Sequence, residues 1–188
     1  MVNIEELRDI ANVLRRDVLE MTTAVGSGHA SSCLSCAEIM ATLFFNEMQY
    51  DIKDPFNQFN DEFILSKGHA APILYAALYR AGCIKNKLNT LRKLDSSLEG
   101  HPVPKSLKWV KVATGSLGQG LSVGVGMGIA SKLNNNRFRT YVLMGDSESA
   151  EGSFYEALQL AVHYKLENLC LIIACRLIIN NEHNQDNS

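Results

Sequence analysis

The chain has 188 residues, enough for one domain of ordinary size with its own core. Hydrophobic residues make up 46% and charged residues 20%, with a formal net charge of −2, so neither nucleic acid nor an anionic membrane is an expected partner. The five cysteines are an odd number, and Met1-Val-Asn-Ile-Glu-Glu has neither the basic start nor the apolar run of a secretory leader. A reduced, cytoplasmic setting is therefore expected.

Apolar groups at Ile4, Leu7, Ala11, Leu14, Val18 and Met21 carry helical spacing and predict an amphipathic helix over 4–24. Ala24-Val-Gly-Ser-Gly-His-Ala breaks it, and Ser31 or Ser32 is expected to cap a second helix over about 33–48. Cys33 and Cys36 fall on one face of that helix, where small buried thiols are common; with no second pair nearby, zinc is not expected. Asp51 to Asp61 is polar, contains Pro55 and reads as a loop. Glu62-Phe-Ile-Leu-Ser reads as a short strand, followed by a helix to Arg80 with Pro72 in its first turn. Residues 86–97 suggest another helix, and Gly100-His-Pro-Val-Pro a turn.

Val112 to Ser131 holds no charge and spaces Gly120, Gly124 and Gly128 as G-x-x-x-G. Six glycines with Thr114, Ser116, Gln119 and Ser122 make it a poor membrane span and point to close backbone packing in a soluble fold. A strand over 138–145, a helix over 151–164 and a continuous apolar run over 168–174 follow; that run reads as a central parallel strand. Residues 180–188 are polar and of low complexity, and read as disordered. Alternating strands and helices predict an α/β fold, a parallel sheet with helices on both faces.

Chemistry concentrates in five places. The strand over 138–145 stops at Gly145-Asp146, just before a helix. Alone this pair is an ordinary turn with an N-cap; in a parallel sheet it delivers a carboxylate to the ligand-binding edge, where Mg²⁺ or Ca²⁺ can hold a phosphate. Gly28-His29, Gly68-His69 and Gly100-His101 each place a histidine directly after a glycine. One such histidine is ordinarily structural, but three suggest loops closing on a ligand. His163, on a helix face, and His183, in the tail, lack this setting. Thr114-Gly-Ser-Leu-Gly-Gln-Gly offers backbone amides before a helix, yet it is neither a Walker loop nor a dinucleotide fingerprint.

Taken in order, Gly26-Ser-Gly-His-Ala-Ser-Ser, Leu65-Ser-Lys-Gly-His-Ala-Ala-Pro, Gly100-His-Pro-Val-Pro, Ala113-Thr-Gly-Ser-Leu-Gly-Gln-Gly and Leu143-Met-Gly-Asp-Ser-Glu-Ser-Ala-Glu-Gly resemble the amino-terminal region of transketolases, most closely the animal type. The resemblance implies a diphosphate-binding domain over 1–175 and a divergent tail over 176–188. It implies thiamine diphosphate with Mg²⁺ (or Ca²⁺) as cofactors, sugar phosphates as substrates, and transfer of a two-carbon ketol unit. By position Asp146 corresponds to a metal ligand, and Ser32, His69, Gly115, Ser116, Leu117 and Ser147 to cofactor contacts. His29 and His101 correspond to catalytic groups facing substrate hydroxyls and the reacting carbonyl, with His29 placed to stabilise oxyanion charge.

Three departures accompany the resemblance. Ser147 stands where the family has glycine; a positive φ there would cost about 1–2 kcal/mol. Arg176 falls where the family has a second metal-binding asparagine, unless Asn180 or Asn181 takes that place. The sequence also corresponds to less than a third of a transketolase, without the segment carrying the family's catalytic glutamate. The expectation is an isolated chain with little or no activity, with two alternatives: the first subunit of a split enzyme, or a non-catalytic fragment that associates with itself or with full-length transketolase.

Overall fold

The computed structural model describes residues 2–175. The first helix, α1 (Ile4–Val25), starts at a reciprocal cap: Asn3 accepts from the Glu6 amide at 2.8 Å, and Glu6 accepts from the Asn3 amide at 3.1 Å. It stops at Gly26, whose φ of +60° suits a glycine. The predicted stripe is buried at Ala11, Leu14, Val18 and Met21, whereas Ile4 is exposed. Asp17 is buried on the same face and takes a two-pronged bond from Arg80, at 2.7 and 2.6 Å.

The second helix differs from expectation. It is divided into α2 (Ala30–Leu34) and α3 (Ala37–Thr42), the latter continued by a π-helical turn over Leu43–Glu47. His29, not Ser31 or Ser32, occupies the N-cap position of α2. Near the break the Ser35 hydroxyl and the Cys36 thiol both bond the Ser32 carbonyl, and these local bonds compete with a continuous helical ladder. The 51–61 loop is held by side chains of Asp51, Asp54 and Asn57, each accepting from the amide two residues on.

Strand β1 (Glu62–Leu65) and helix α4 (Ala71–Arg80) fall where predicted. The helix expected over 86–97 does not form. Only a 3₁₀ turn over Leu88–Thr90 is helical, and the chain then turns through positive φ at Arg92 and Asp95. Thr90 and Ser96 bond each other's side chains, Asn86 bonds Ser97, and the Arg92 amide bonds the Leu98 carbonyl. Leu91 and Leu98 are fully buried there and Leu88 partly so, while Leu94 stands in solvent.

Helix α5 (Gly120–Leu133), strand β2 (Thr140–Gly145), helix α6 (Gly152–His163) and strand β3 (Leu169–Ala174) complete the fold. The strands pair in parallel in the order β1-β2-β3. Among the described residues β2, not β3, is therefore central. Positions 140–144 of β2 are buried, whereas β3 is buried only at Ala174. Its continuous apolar run resembles a central strand, but pairing partners decide position, and among the described residues β3 has one.

Side-chain alternation splits the core as predicted. Leu65, Tyr141 and Leu143 pack against α1, α3 and α4; Ile64, Val142 and Met144 pack against α5 and α6. The second layer is thinner: Phe154 and Ala157 are the buried residues of α6, while Tyr155 and Val162 point outward. Glycines bring α5 onto the sheet, since a Cβ at Gly124 would lie 2.5 Å from Val142 Cγ2. No helix among the described residues is long and apolar enough to cross a membrane. The expected tail over 176–188, with Arg176, Asn180, Asn181 and His183, lies outside the described residues.

Candidate functional site

Parallel strands send their carboxyl ends to one edge of a sheet. Here that edge gathers the loops after β1 and β2, the start of α2 and the Gly-rich loop before α5. The loop after β1 turns sharply: the Gly68 amide bonds the Ser66 carbonyl, and a 3₁₀ turn over Gly68–Ala70 leads into α4. Gly68 is pressed against the Gly-rich loop, where a Cβ would come 2.5 Å from the Thr114 carbonyl oxygen. Gly115 is in turn pressed on His101, with 3.0 Å available to a Cβ beside the imidazole Cδ2. These contacts use the absence of a side chain to bring backbone against backbone and backbone against ring.

The three Gly-His histidines converge although they lie far apart in sequence. The His29 and His69 rings sit edge to face with centroids 5.1 Å apart, and Ser32 Oγ shares a hydrogen bond of 2.9 Å with His69 Nε2. Burial, followed by the charges of His29 and Lys67, lowers the His69 pKa below the usual histidine value, against the opposing pull of Glu148. His101 adds to the lowering and so lies within electrostatic reach. His69 is half-buried, while His29 and His101 are exposed. His163 meets Tyr164 edge to face at the end of α6, apart from this group.

Asp146 opens the 3₁₀ turn after β2 (Asp146–Ala150), and its exposed carboxylate accepts from the Ser147 amide at 2.9 Å. Ser147 is exposed, and its backbone is not among the positive-φ residues, which are Arg92, Asp95, Asn135 and Lys165 outside glycine. The strain considered for Ser147 does not arise. Asp146 and Ser147 line a small cleft with Ser32, Lys67 and His69. Gly115 and Ser116 line a neighbouring cleft of about 210 Å³ with Val112 and Gln119. Leu117 is partly exposed at the tip of the same loop. Among the described residues no group of three or more His, Cys, Asp or Glu side chains could hold a metal ion. Asp146 therefore stands as a single carboxylate.

Two residues of this edge were not singled out from the sequence. Lys67 is 2% exposed, with its ammonium on the Ser32 carbonyl at 2.9 Å and its stem along Gly145. A buried cation lining a cleft is a natural partner for an anion. Glu148 is fully buried and accepts from Ser66 Oγ at 2.6 Å, the Gly118 amide at 2.9 Å and the Gly145 amide at 2.7 Å. A glutamate three residues after the start of a helical turn is a known back-bonding pattern, and Gly145-Asp-Ser-Glu148 carries it.

Fold and site together define a parallel α/β domain with a cationic and histidine-lined cleft at the carboxyl ends of its strands. The model of the transketolase, thiamine diphosphate binding domain family matches residues 7–182. Human transketolase is 52% identical over 172 residues, covering 90% of this chain and 27% of that protein. One of the subunits of the apulose-4-phosphate transketolase from Phocaeicola vulgatus is 39% identical, covering 92% of this chain and 61% of that one. The transketolase structure from Campylobacter jejuni superposes with a TM-score of 0.87 at 34% identity, over 92% of this chain and 28% of that one. The Leishmania mexicana enzyme superposes with a TM-score of 0.86 over 95% and 28%. The chain belongs to the transketolase family, as its thiamine diphosphate-binding domain. It spans about a quarter of the length of the curated transketolases that it matches.

Proposed function

We propose that this chain holds thiamine diphosphate and Mg²⁺ for a transketolase-type transfer of a two-carbon ketol unit between sugar phosphates in the cytoplasm. The observation that carries the reading is the convergence of Lys67, Asp146 and the Ser32–His69 pair on one cleft, next to the Gly-rich loop. The donor set fits the cofactor. Mg²⁺ binds through one or two carboxylates, with phosphate oxygens and waters completing its shell, so a lone Asp146 suits a metal that arrives with a diphosphate. Ca²⁺ shares that oxygen chemistry. The Lys67 ammonium, already desolvated, pairs with phosphate charge.

Asp146 holds the metal in this reading. Ser32, His69, Gly115, Ser116, Leu117 and Ser147 contact the cofactor, which when bound supplies carbanion-stabilising chemistry that no side chain offers. His69, its pKa lowered by burial, bonds Ser32 and lines the cleft. His29 and His101 face the substrate, His29 bonding the developing oxyanion and His101 the sugar hydroxyls. Calorimetric titration with thiamine diphosphate and Mg²⁺ tests the reading. Micromolar binding that Asp146→Asn weakens at least tenfold is expected, and no heat up to millimolar ligand would overturn it.

The 188 residues by themselves are expected to show no turnover of xylulose 5-phosphate with ribose 5-phosphate; measurable turnover of the purified chain alone would refute this part. A second reading, the first half of a split enzyme, is favoured by the Phocaeicola vulgatus relative, which is named as one of the subunits of a transketolase. Co-purification of a second chain that restores turnover supports that reading. A complex with full-length transketolase, or a dimer of this chain, without activity would instead mark a non-catalytic association.

A further inference from the structure

We propose that Glu148 is a positioning residue whose carboxylate clamps three site loops together, and that cofactor affinity depends on this clamp. The inference rests on the reading that the cleft takes thiamine diphosphate. Glu148 touches neither Asp146 nor a histidine directly. Its Oε1 takes the Ser66 hydroxyl and the Gly118 amide, and its Oε2 takes the Gly145 amide. Ser66 precedes Lys67 and His69; Gly118 closes the loop of Gly115, Ser116 and Leu117; Gly145 precedes Asp146 and Ser147. One side chain, with no solvent exposure, thus joins every loop that carries a cofactor contact except the start of α2.

The chemistry needs a carboxylate. All three neighbours present hydrogen-bond donors, and only an ionised carboxyl accepts at both oxygens without donating. Glutamine has nearly the same shape but one accepting end. With its oxygen toward Ser66 and Gly118, its amide group meets the Gly145 N–H donor to donor; reversed, it meets the Gly118 N–H. Either way one loop loses its tie, and a buried donor left without an acceptor drives that loop to move.

The test is Glu148→Gln in the full chain, read by amide hydrogen exchange without ligand and by titration with thiamine diphosphate and Mg²⁺. Exchange at Gly118 or Gly145 is expected to quicken, and affinity to fall, by about tenfold to a hundredfold for one lost charge-assisted bond. Asp17→Asn is the control: it breaks a buried ion pair on the far helices, so it lowers stability but leaves affinity unchanged. If Glu148→Gln loses stability like the control yet binds as the native chain does, Glu148 is merely structural and the proposal falls. If the variant does not fold, exchange in the native chain decides. Gly118 and Gly145 amides as protected as those in the middle of β2, Tyr141 to Leu143, support the clamp, and free exchange overturns it. If the native chain binds no cofactor, the functional reading fails while the exchange arm still judges the clamp.

Discussion

The packing of α5 on the sheet gives a sharp prediction, because two glycines of one helix differ only in what lies above them. Gly124 is buried, and a Cβ there would come 2.5 Å from Val142 Cγ2 and 3.3 Å from Leu169 Cδ1. Val142 is fully buried in the central strand, so its methyl has nowhere to swing. Gly126 lies two residues on, exposed, with nothing within 4 Å of a Cβ. Alanine gains about 0.8–1.0 kcal/mol of helix propensity at either position. At Gly124 overpacking opposes that gain with about 1–3 kcal/mol. Gly126→Ala should therefore stabilise the chain by about 0.5–1 kcal/mol, while Gly124→Ala is neutral or destabilising by up to about 2 kcal/mol. The propensity gain cancels between the two variants, leaving the overlap of about 1–3 kcal/mol, or roughly 2–12 °C in melting temperature. Urea or thermal unfolding of the two proteins side by side is the assay. Adding Val142→Ala should cost less in the Gly124→Ala background than alone, by at least about 0.5 kcal/mol of coupling. Equal stability of the two alanine variants would refute the close approach of helix and strand.

Other outcomes can be checked with the same protein. His69 has its pKa lowered in the folded state, so the unfolded chain binds more protons near the ordinary histidine value of about 6.5. Its contribution to stability is present above that pH and is lost as pH falls below it through the lowered folded value; His69→Asn should flatten the slope of unfolding free energy below about pH 6.5. Arg80→Ala strands the Asp17 carboxylate, which is 2% exposed, and should cost about 2–4 kcal/mol in urea unfolding, toward the lower end because Arg80 itself is partly exposed. Burial raises the Cys33 thiol to about 12 and lifts Cys36 as well, so both should resist alkylation in the native chain while exposed Cys175 reacts; Cys170, exposed but raised by partial burial, should fall between. Mass spectrometry after a short iodoacetamide pulse reads the difference.

The legible parts of the fold are those whose signal is local. The α1 stripe, the apolar α4 and the strand stopping at Gly145 each follow from the period of their own residues. The stretch over 86–97 misleads because leucines at 88, 91, 94 and 98 mimic a helical face, while its serines, threonine and asparagine bond locally and turn the chain instead. The break between α2 and α3 has the same origin in Ser35 and Cys36. The place of β3 depends on a neighbour in space, which its own composition does not encode. At the site, Gly-His repeats mark His29, His69 and His101 as a set, but their meeting depends on tertiary contacts: Ser32 and His29 on His69, and the Gly-rich loop pressed between Gly68 and His101. Lys67 and Glu148 escape notice because their type is ordinary and their burial is not visible before folding.

The pairing of β1 with β2 also bears on how the chain reaches this state. Ser66 and Glu148 are 82 residues apart in sequence, whereas β2 and β3 are joined through α6 alone, a span roughly a third as long. Closing the longer loop costs about 1 kcal/mol more in chain entropy, so the β2-α6-β3 unit can assemble before β1 arrives. Docking of β1 is the event that carries Ser66, Lys67 and His69 to Asp146 and Glu148. In the proposed reading, cofactor capture is thereby tied to the more distant of the two strand pairings among the described residues, and a half-folded molecule with a good β2-α6-β3 unit lacks the Lys67 and His69 side of the cleft.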